Sequence, residues 1–265
     1  MIRLAVVIWL AFGSAAFAET MRLAVTTSFH NSGLSDVLLP AIKEDIDLEV
    51  QLLVVGTGQA LRLGRAGDVD AILVHSKAVE DAFVAEGFAP YRREIMYNDF
   101  VLIGPETDPA QLKQAMSASD ALTRIASAKA SFVSRGDESG THKKELALWD
   151  VAALDVEAFD PWYKAVGAGM GASLNTASAM GAYILADRAS WLNFGNKTGL
   201  ALLYSGDPVL FNQYAYLSVN PAKHPHVNAD AAQRLEAWLV SQKAADLIDS
   251  YTINGEQLFT FNAMD

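Results

Sequence analysis

Apolar and polar positions along the chain alternate in a repeating strand-then-helix rhythm. Leu23-Ala24-Val25 reads as a strand that stops in the hydroxyl turn Thr26-Thr27-Ser28. Beyond it, Leu34, Val37, Leu38, Ala41 and Ile42 fall at the i, i+3, i+4, i+7, i+8 spacing of one buried helix face. Residues 48–55 form a near-continuously apolar run, as expected of a strand covered on both faces. This run ends in Gly56-Thr57-Gly58, and a short helix follows over 59–65. Residues 69–74 make a third strand, closed by His75-Ser76, and Val79, Ala82 and Phe83 mark the next helix. Three strand–helix units in a row predict a parallel sheet with right-handed crossovers.

Residues 94–103 break the rhythm with a longer extended stretch, closed by Gly104-Pro105, that carries the chain from one lobe to another. The second lobe is expected to hold a helix over about 109–129, a short strand at Phe132-Val133 and a helix over about 141–149. A glycine-rich turn (Gly167, Gly169, Gly171) then leads to a helix through Met180, Tyr183, Ile184 and Leu185, and a strand over 200–204. Residues 213–219, stopped by Asn220-Pro221, make a return crossing. A C-terminal helix carrying Leu235, Trp238, Leu239, Leu247 and Ile248 packs back on the first lobe. The expected fold class is α/β with two lobes, each a central, mostly parallel sheet flanked by helices, joined by two crossing strands. Residues 19–100 with 214–265 make lobe 1, and 101–213 make lobe 2.

Composition changes this picture at three points. With 265 residues, 51% of them hydrophobic, the chain has ample material for a core. A net charge of −11 argues against nucleic acid or an anionic membrane as partner. It does not forbid a buried anion, which is held by local dipoles and hydrogen bonds. At the start, Arg3 precedes an apolar run over 4–12 and then Ala16-Phe17-Ala18, a small-x-small cleavage site. Residues 1–18 are therefore expected to be a signal peptide cleaved after Ala18, giving a periplasmic protein. The absence of cysteine excludes disulfides, thiolate metal sites and a lipidated cysteine.

Candidate chemistry concentrates in residues 131–145. A buried strand stops in a polar, glycine-containing turn, and a helical pattern starts at about Gly140. The first helical turn leaves backbone N–H groups unpaired, and the helix dipole adds partial positive charge there. Arg135 adds a cationic fork, and Ser134, Ser139 and Thr141 add hydroxyls. With Thr26-Thr27-Ser28 and Gly56-Thr57-Gly58, three strand ends share this chemistry at the edge where open α/β sheets bind ligands. Ordinary helix capping explains any one of them, but three together, one with an arginine, point to an oxyanion site. Asp137 is expected to orient Arg135 or to cap the helix, because a carboxylate aimed at an anion would repel it.

Other motifs carry less. Gly167-x-Gly169-x-Gly171 lacks both the strand and the spacing of a dinucleotide fingerprint. Arg135-Gly136-Asp137 is a chance tripeptide in a strand–helix turn. His30, His142, His224 and His226 lack metal-ligand spacing, so no metal or cofactor is expected. Asp187-Arg188, at the end of an apolar helix, reads as an ion pair between elements and carries no functional argument. Gly-x-Ser-x-Gly is absent, and no nucleophile–base set is visible, so catalysis is not expected.

Taken together, these pieces resemble the type II periplasmic solute-binding proteins of ABC importers, and more closely the Tup-type tungstate-binding proteins. The resemblance rests on Thr26-Thr27-Ser28, residues 55–60, Gly67-Asp68-Val69-Asp70 with Leu73-Val74-His75-Ser76, residues 96–101, and above all residues 134–145. It implies Thr27, Ser28, Thr57, Ser134, Arg135 and Thr141 as oxyanion contacts, with Thr26, Gly58, Asp137, Ser139 and Gly140 in support. It also implies an inner-membrane ABC permease as partner, and a monomer. Phosphate-binding relatives share the Arg-Gly-Asp-x-Ser-Gly-Thr run but carry an aspartate at the end of the third strand, where this chain has His75. Without that acceptor, the O–H of a protonated ligand would be left unpaired, at about 1–3 kcal/mol. That favours a fully ionised dianion, and cavity size disfavours sulfate among them, leaving tungstate or molybdate. A phosphate- or sulfate-binding protein of the same fold remains the nearer alternative, and a secreted enzyme acting on a phosphorylated substrate the more distant one.

Overall fold

The computed structural model describes residues 19–263 apart from positions 138 and 160, so the expected signal peptide lies outside the described residues. Strand β1 (Glu19–Thr26) runs into a five-residue helix, α1 (Thr27–Asn31), and then into α2 (Leu34–Ile46). The apolar stripe of α2 buries Leu34, Leu38 and Ile42, as its spacing predicts. Strand β2 (Leu48–Val55), helix α3 (Thr57–Ala66), strand β3 (Ala71–Val74) and helix α4 (Lys77–Ala85) follow. Strands β2 and β3 flank β1 and both run parallel to it. One expectation fails here: β2 is an edge strand with only Leu48 fully buried, because its far side has no neighbour.

The long strand β4 (Arg93–Pro105) changes sheets part-way. Residues 93–99 pair antiparallel with β9 (Phe211–Ser218), which pairs antiparallel with β3 on its other edge. From Phe100 onward, β4 pairs antiparallel with β7 (Tyr183–Asp187) and with β8 (Leu200–Tyr204). The second sheet continues from β7 to β5 (Phe132–Ser134) and β6 (Tyr163–Ala165), all three parallel. Each lobe thus has three parallel strands, closed on one side by the antiparallel crossing strands.

Helices α5 (Ala118–Ala128), α6 (Gly140–Val151), α7 (Met170–Met180) and α8 (Arg188–Asn193) belong to the second lobe. Two helical expectations are corrected. The helix expected over 109–129 begins only at Ala118. Asp108 and Gln111 take positive φ, Asp108 accepts from the N–H groups of Leu112 and Lys113, and Ser117 caps the true start. The helix expected through Tyr183–Leu185 stops at Met180. Gly181 adopts the left-handed conformation at the helix end, and the fully buried run YILAD becomes β7 between β4 and β5. A short apolar run satisfies helix and buried-strand patterns equally, and here sheet neighbours decide. The C-terminal helix is two, α9 (Ala229–Leu239) and α10 (Gln242–Asp249), with Ser241 capping the second.

Candidate functional site

Three helix starts converge where the two lobes meet. At the end of β1, Thr26 caps α1 by accepting from the Phe29 N–H at 3.3 Å, and its hydroxyl lies 3.0 Å from that of Ser28. The Ser28 hydroxyl is also 3.0 Å from His75 Nε2 and 3.4 Å from the Tyr214 hydroxyl. After β2, Gly56 occupies the cap position of α3 with extended backbone and no side chain, so nothing in the cap competes for the first-turn N–H groups. After β5, Ser139 caps α6 by accepting from the His142 N–H, while Asp137 accepts from the Ser139 N–H at 3.2 Å.

These starts wall one cavity of about 500 Å³. Thr26, Thr27, Ser28, Thr57 and Gly58 line it from the first lobe. Arg135, Asp137, Ser139, Gly140 and Thr141 line it from the second. Ser134 alone among the sequence candidates stays outside. Its side chain is 0% exposed and sits beside Glu145 and Tyr163, yet Oγ makes no well-formed hydrogen bond. It is the last residue of β5, and alternation along the strand turns it away from the side on which Arg135 projects.

Arg135 is held by its ion pair with Asp137 and by donation from Nε to the Ala168 carbonyl at 3.4 Å. Burial opposes ionisation of Asp137, but its bonds to Ser139 and the Arg135 charge outweigh it and keep the carboxyl below its ordinary range. Asp137 is therefore tied both to the arginine and to the start of α6. Thr141, in the first turn of α6, is buried.

The cavity also takes His75, at the place the resemblance singled out, and Gln59, Arg62, Ser76 and Lys143, which were not named as site residues. Arg62 and Lys143 are exposed, and Arg62 donates twice to Gln59 Oε1. His75 packs its ring 4.7 Å from that of Tyr214, and desolvation pushes its pKa down to about 4, so it is neutral at neutral pH. A methyl group on Gly140 would stand 3.0 Å from His75 Cε1, so α6 and the end of β3 are in close apposition across the lobes. As expected, β3 supplies no carboxylate at this place.

A carboxylate arrives from elsewhere. A second cavity of about 630 Å³ shares Thr27, Ser28 and Arg135 and adds Asp187, the last residue of β7. Asp187 is 2% exposed and caps α8, its Oδ1 accepting from the Ser190 N–H at 2.8 Å. Arg188 makes its ion pair between elements, a two-pronged pair with Asp99 of β4, both bonds 2.6 Å.

Comparison with known proteins places this arrangement in a family. The PBP superfamily domain model matches residues 13–243. The tungstate-binding protein TupA of Peptoclostridium acidaminophilum is 46% identical over 245 residues, covering 91% of this chain and 85% of that protein. The chain belongs to the PBP superfamily, in the TupA family. Among solved structures, the tungstate-binding protein TupA of Desulfovibrio alaskensis G20 superposes with a TM-score of 0.88 at 41% identity, covering 93% of this chain and all of that one. The tungstate ABC transporter protein of Geobacter sulfurreducens gives a TM-score of 0.80 at 44% identity, covering 88% and 99%. Within this family fold the TupA-like chain places its hydroxyl turns at β1, β2 and β5, the first two on one lobe and the third on the other.

Proposed function

We propose that the protein captures tungstate or molybdate in the interlobe cleft and delivers it to the inner-membrane permease of an ABC importer. The observation that carries this reading is the single cavity walled by Thr27, Ser28 and Thr57 on one side and by Arg135 and Thr141 on the other. A compact tetrahedral anion satisfies hydroxyl and N–H donors on both walls only when the lobes are together, so capture favours the closed arrangement. The names of the relatives, tungstate-binding proteins of ABC transporters, support the same ligand and partner. In this reading Ser134 is not an oxyanion contact, because its buried side chain lies outside the cavity. The lobes comprise 19–100 with 214–265, and 101–213, in keeping with the change of sheet partners along β4 between Asp99 and Phe100. The protein acts as an exported periplasmic monomer, its leader removed after Ala18, and binds without catalysing.

Calorimetric titration with tungstate, molybdate, sulfate and phosphate tests the proposal. Tungstate and molybdate are expected to bind most tightly. Tighter binding of phosphate than of tungstate would overturn the choice of ligand and favour the phosphate-binding alternative.

A further inference from the structure

The charges around the cleft do not balance for a dianion. Arg135 is the cation shared by both cavities, and Asp137 already neutralises it. Arg62 and Lys143 are exposed, where water screens them. His75 is neutral. Asp187 then adds a negative charge to the wall that carries Thr27, Ser28 and Arg135, and that carboxylate is almost entirely removed from water. Its carboxylate is engaged chiefly by Ser190, whose N–H donates to Oδ1 at 2.8 Å, and no cation forms an ion pair with it among the described residues. Like charges sharing a poorly hydrated site resolve their repulsion by holding a proton between them.

We propose that Asp187 is the proton partner of the captured anion: each dianion enters the cleft with one proton taken from solvent, held between the Asp187 carboxylate and an anion oxygen. This rests on the oxyanion reading of the cleft. It also revises the expectation that the chain lacks a proton acceptor, because β7 supplies the carboxylate that β3 does not. Burial raises the proton affinity of Asp187 before any anion arrives, against the opposing pull of the Ser190 bonds and the Arg135 charge.

The neighbouring groups do not take the proton's place. Asp99 of β4 is tied to Arg188 by two bonds of 2.6 Å. Tyr214 of β9 is pushed up by burial and keeps its own proton. Glu145 of α6 is turned to the Tyr163 hydroxyl and the Trp149 indole, at 2.7 and 3.2 Å. His30 of α1 is exposed, and α7 holds no titratable side chain. His75, joined to the site through Ser28, is the one competitor, and the experiment separates it from Asp187.

Calorimetry with tungstate at about pH 7.5, repeated in buffers of different ionisation enthalpy, counts the protons taken up on binding. The expected count is about one for the natural sequence, with affinity rising roughly tenfold per unit fall in pH. Asp187→Asn keeps an oxygen to cap α8, and Asp187→Ser is a second residue able to cap it. Both are expected to bring proton uptake close to zero and to flatten the pH dependence, whereas His75→Asn retains both. Tungstate binding without proton uptake by the unaltered protein would overturn this inference alone. Uptake that survives in both Asp187 variants, or that disappears in His75→Asn, would also overturn it. Failure of the unaltered protein to bind tungstate would overturn this inference together with the functional reading beneath it.

Discussion

Arg135 presents its guanidinium on a rigid fork, which among the described residues is engaged by Asp137 and the Ala168 carbonyl. Replacing it by alanine removes the central cation of the cleft and leaves Asp137 without its counter-ion. Arg135→Ala is expected to weaken tungstate binding by about 2–5 kcal/mol, the scale for truncating a buried charged partner, as calorimetry would measure. An unchanged dissociation constant would remove Arg135 from the site. His75 acts at the same scale through solvation. Its pKa falls from 6.5 to about 4 on folding, so the unfolded chain binds the proton more readily. The stability it contributes is complete above pH 6.5 and is lost as pH falls toward 4. Urea unfolding of His75→Asn against the unaltered chain should therefore show a difference that changes by up to about 3 kcal/mol across that window.

At the scale of elements, α6 joins the site to the interior of the second lobe. Its start carries Ser139, Gly140 and Thr141, and one turn on, Glu145 is buried against Trp149 and Tyr163. Desolvation raises Glu145 from 4.5 to about 7. The sign is opposite to that of His75: stability is complete below pH 4.5 and is lost as pH rises through 7. Glu145→Gln keeps an oxygen for both donors and is expected to remove a decline of up to about 3 kcal/mol over that range. The two windows overlap almost entirely, so the opposing slopes of α6 and β3 largely cancel in the natural chain. Single variants should expose them: Glu145→Gln leaves stability rising with pH and His75→Asn leaves it falling. Parallel pH profiles for the two variants in chemical unfolding would refute this account.

At the scale of the whole molecule, the ligand acts as a clamp. Anion at a hundred times its dissociation constant should add about 2.7 kcal/mol to the closed, folded chain. For a chain of this size that corresponds to roughly 5–10 °C in melting temperature. Thermal melts with tungstate and molybdate should show this rise, with smaller rises for sulfate and phosphate at equal concentration. A larger rise with phosphate would contradict the proposed ligand. In the proposed clamp, β4 passes from one sheet to the other between Asp99 and Phe100, so lobe movement need bend only that crossing while each set of parallel strands stays intact.

Much of this was legible in the sequence because it is local. Strand–helix alternation, the α2 stripe, and the Ser, Thr and Gly residues that start helices each follow from residues a few positions apart. Thus the turns at Thr26–Ser28, at Thr57 and at Arg135–Thr141 were recognisable as donors before their meeting could be seen. What tertiary structure alone decided depends on distant neighbours and on side-chain parity. Residues 183–187 became a strand because β4 and β5 were there to pair with it. Ser134 turned inward while Arg135 faced the cleft, because a single position along a strand reverses the side on which a residue projects. Asp187 and His75 entered the site from strands far apart in the chain, and only the crossovers brought them to Thr27, Ser28 and Arg135. The sequence by itself determined that an oxyanion could be held. Tertiary structure decided which charges surround it, because charge balance depends on groups that sequence spacing does not bring together.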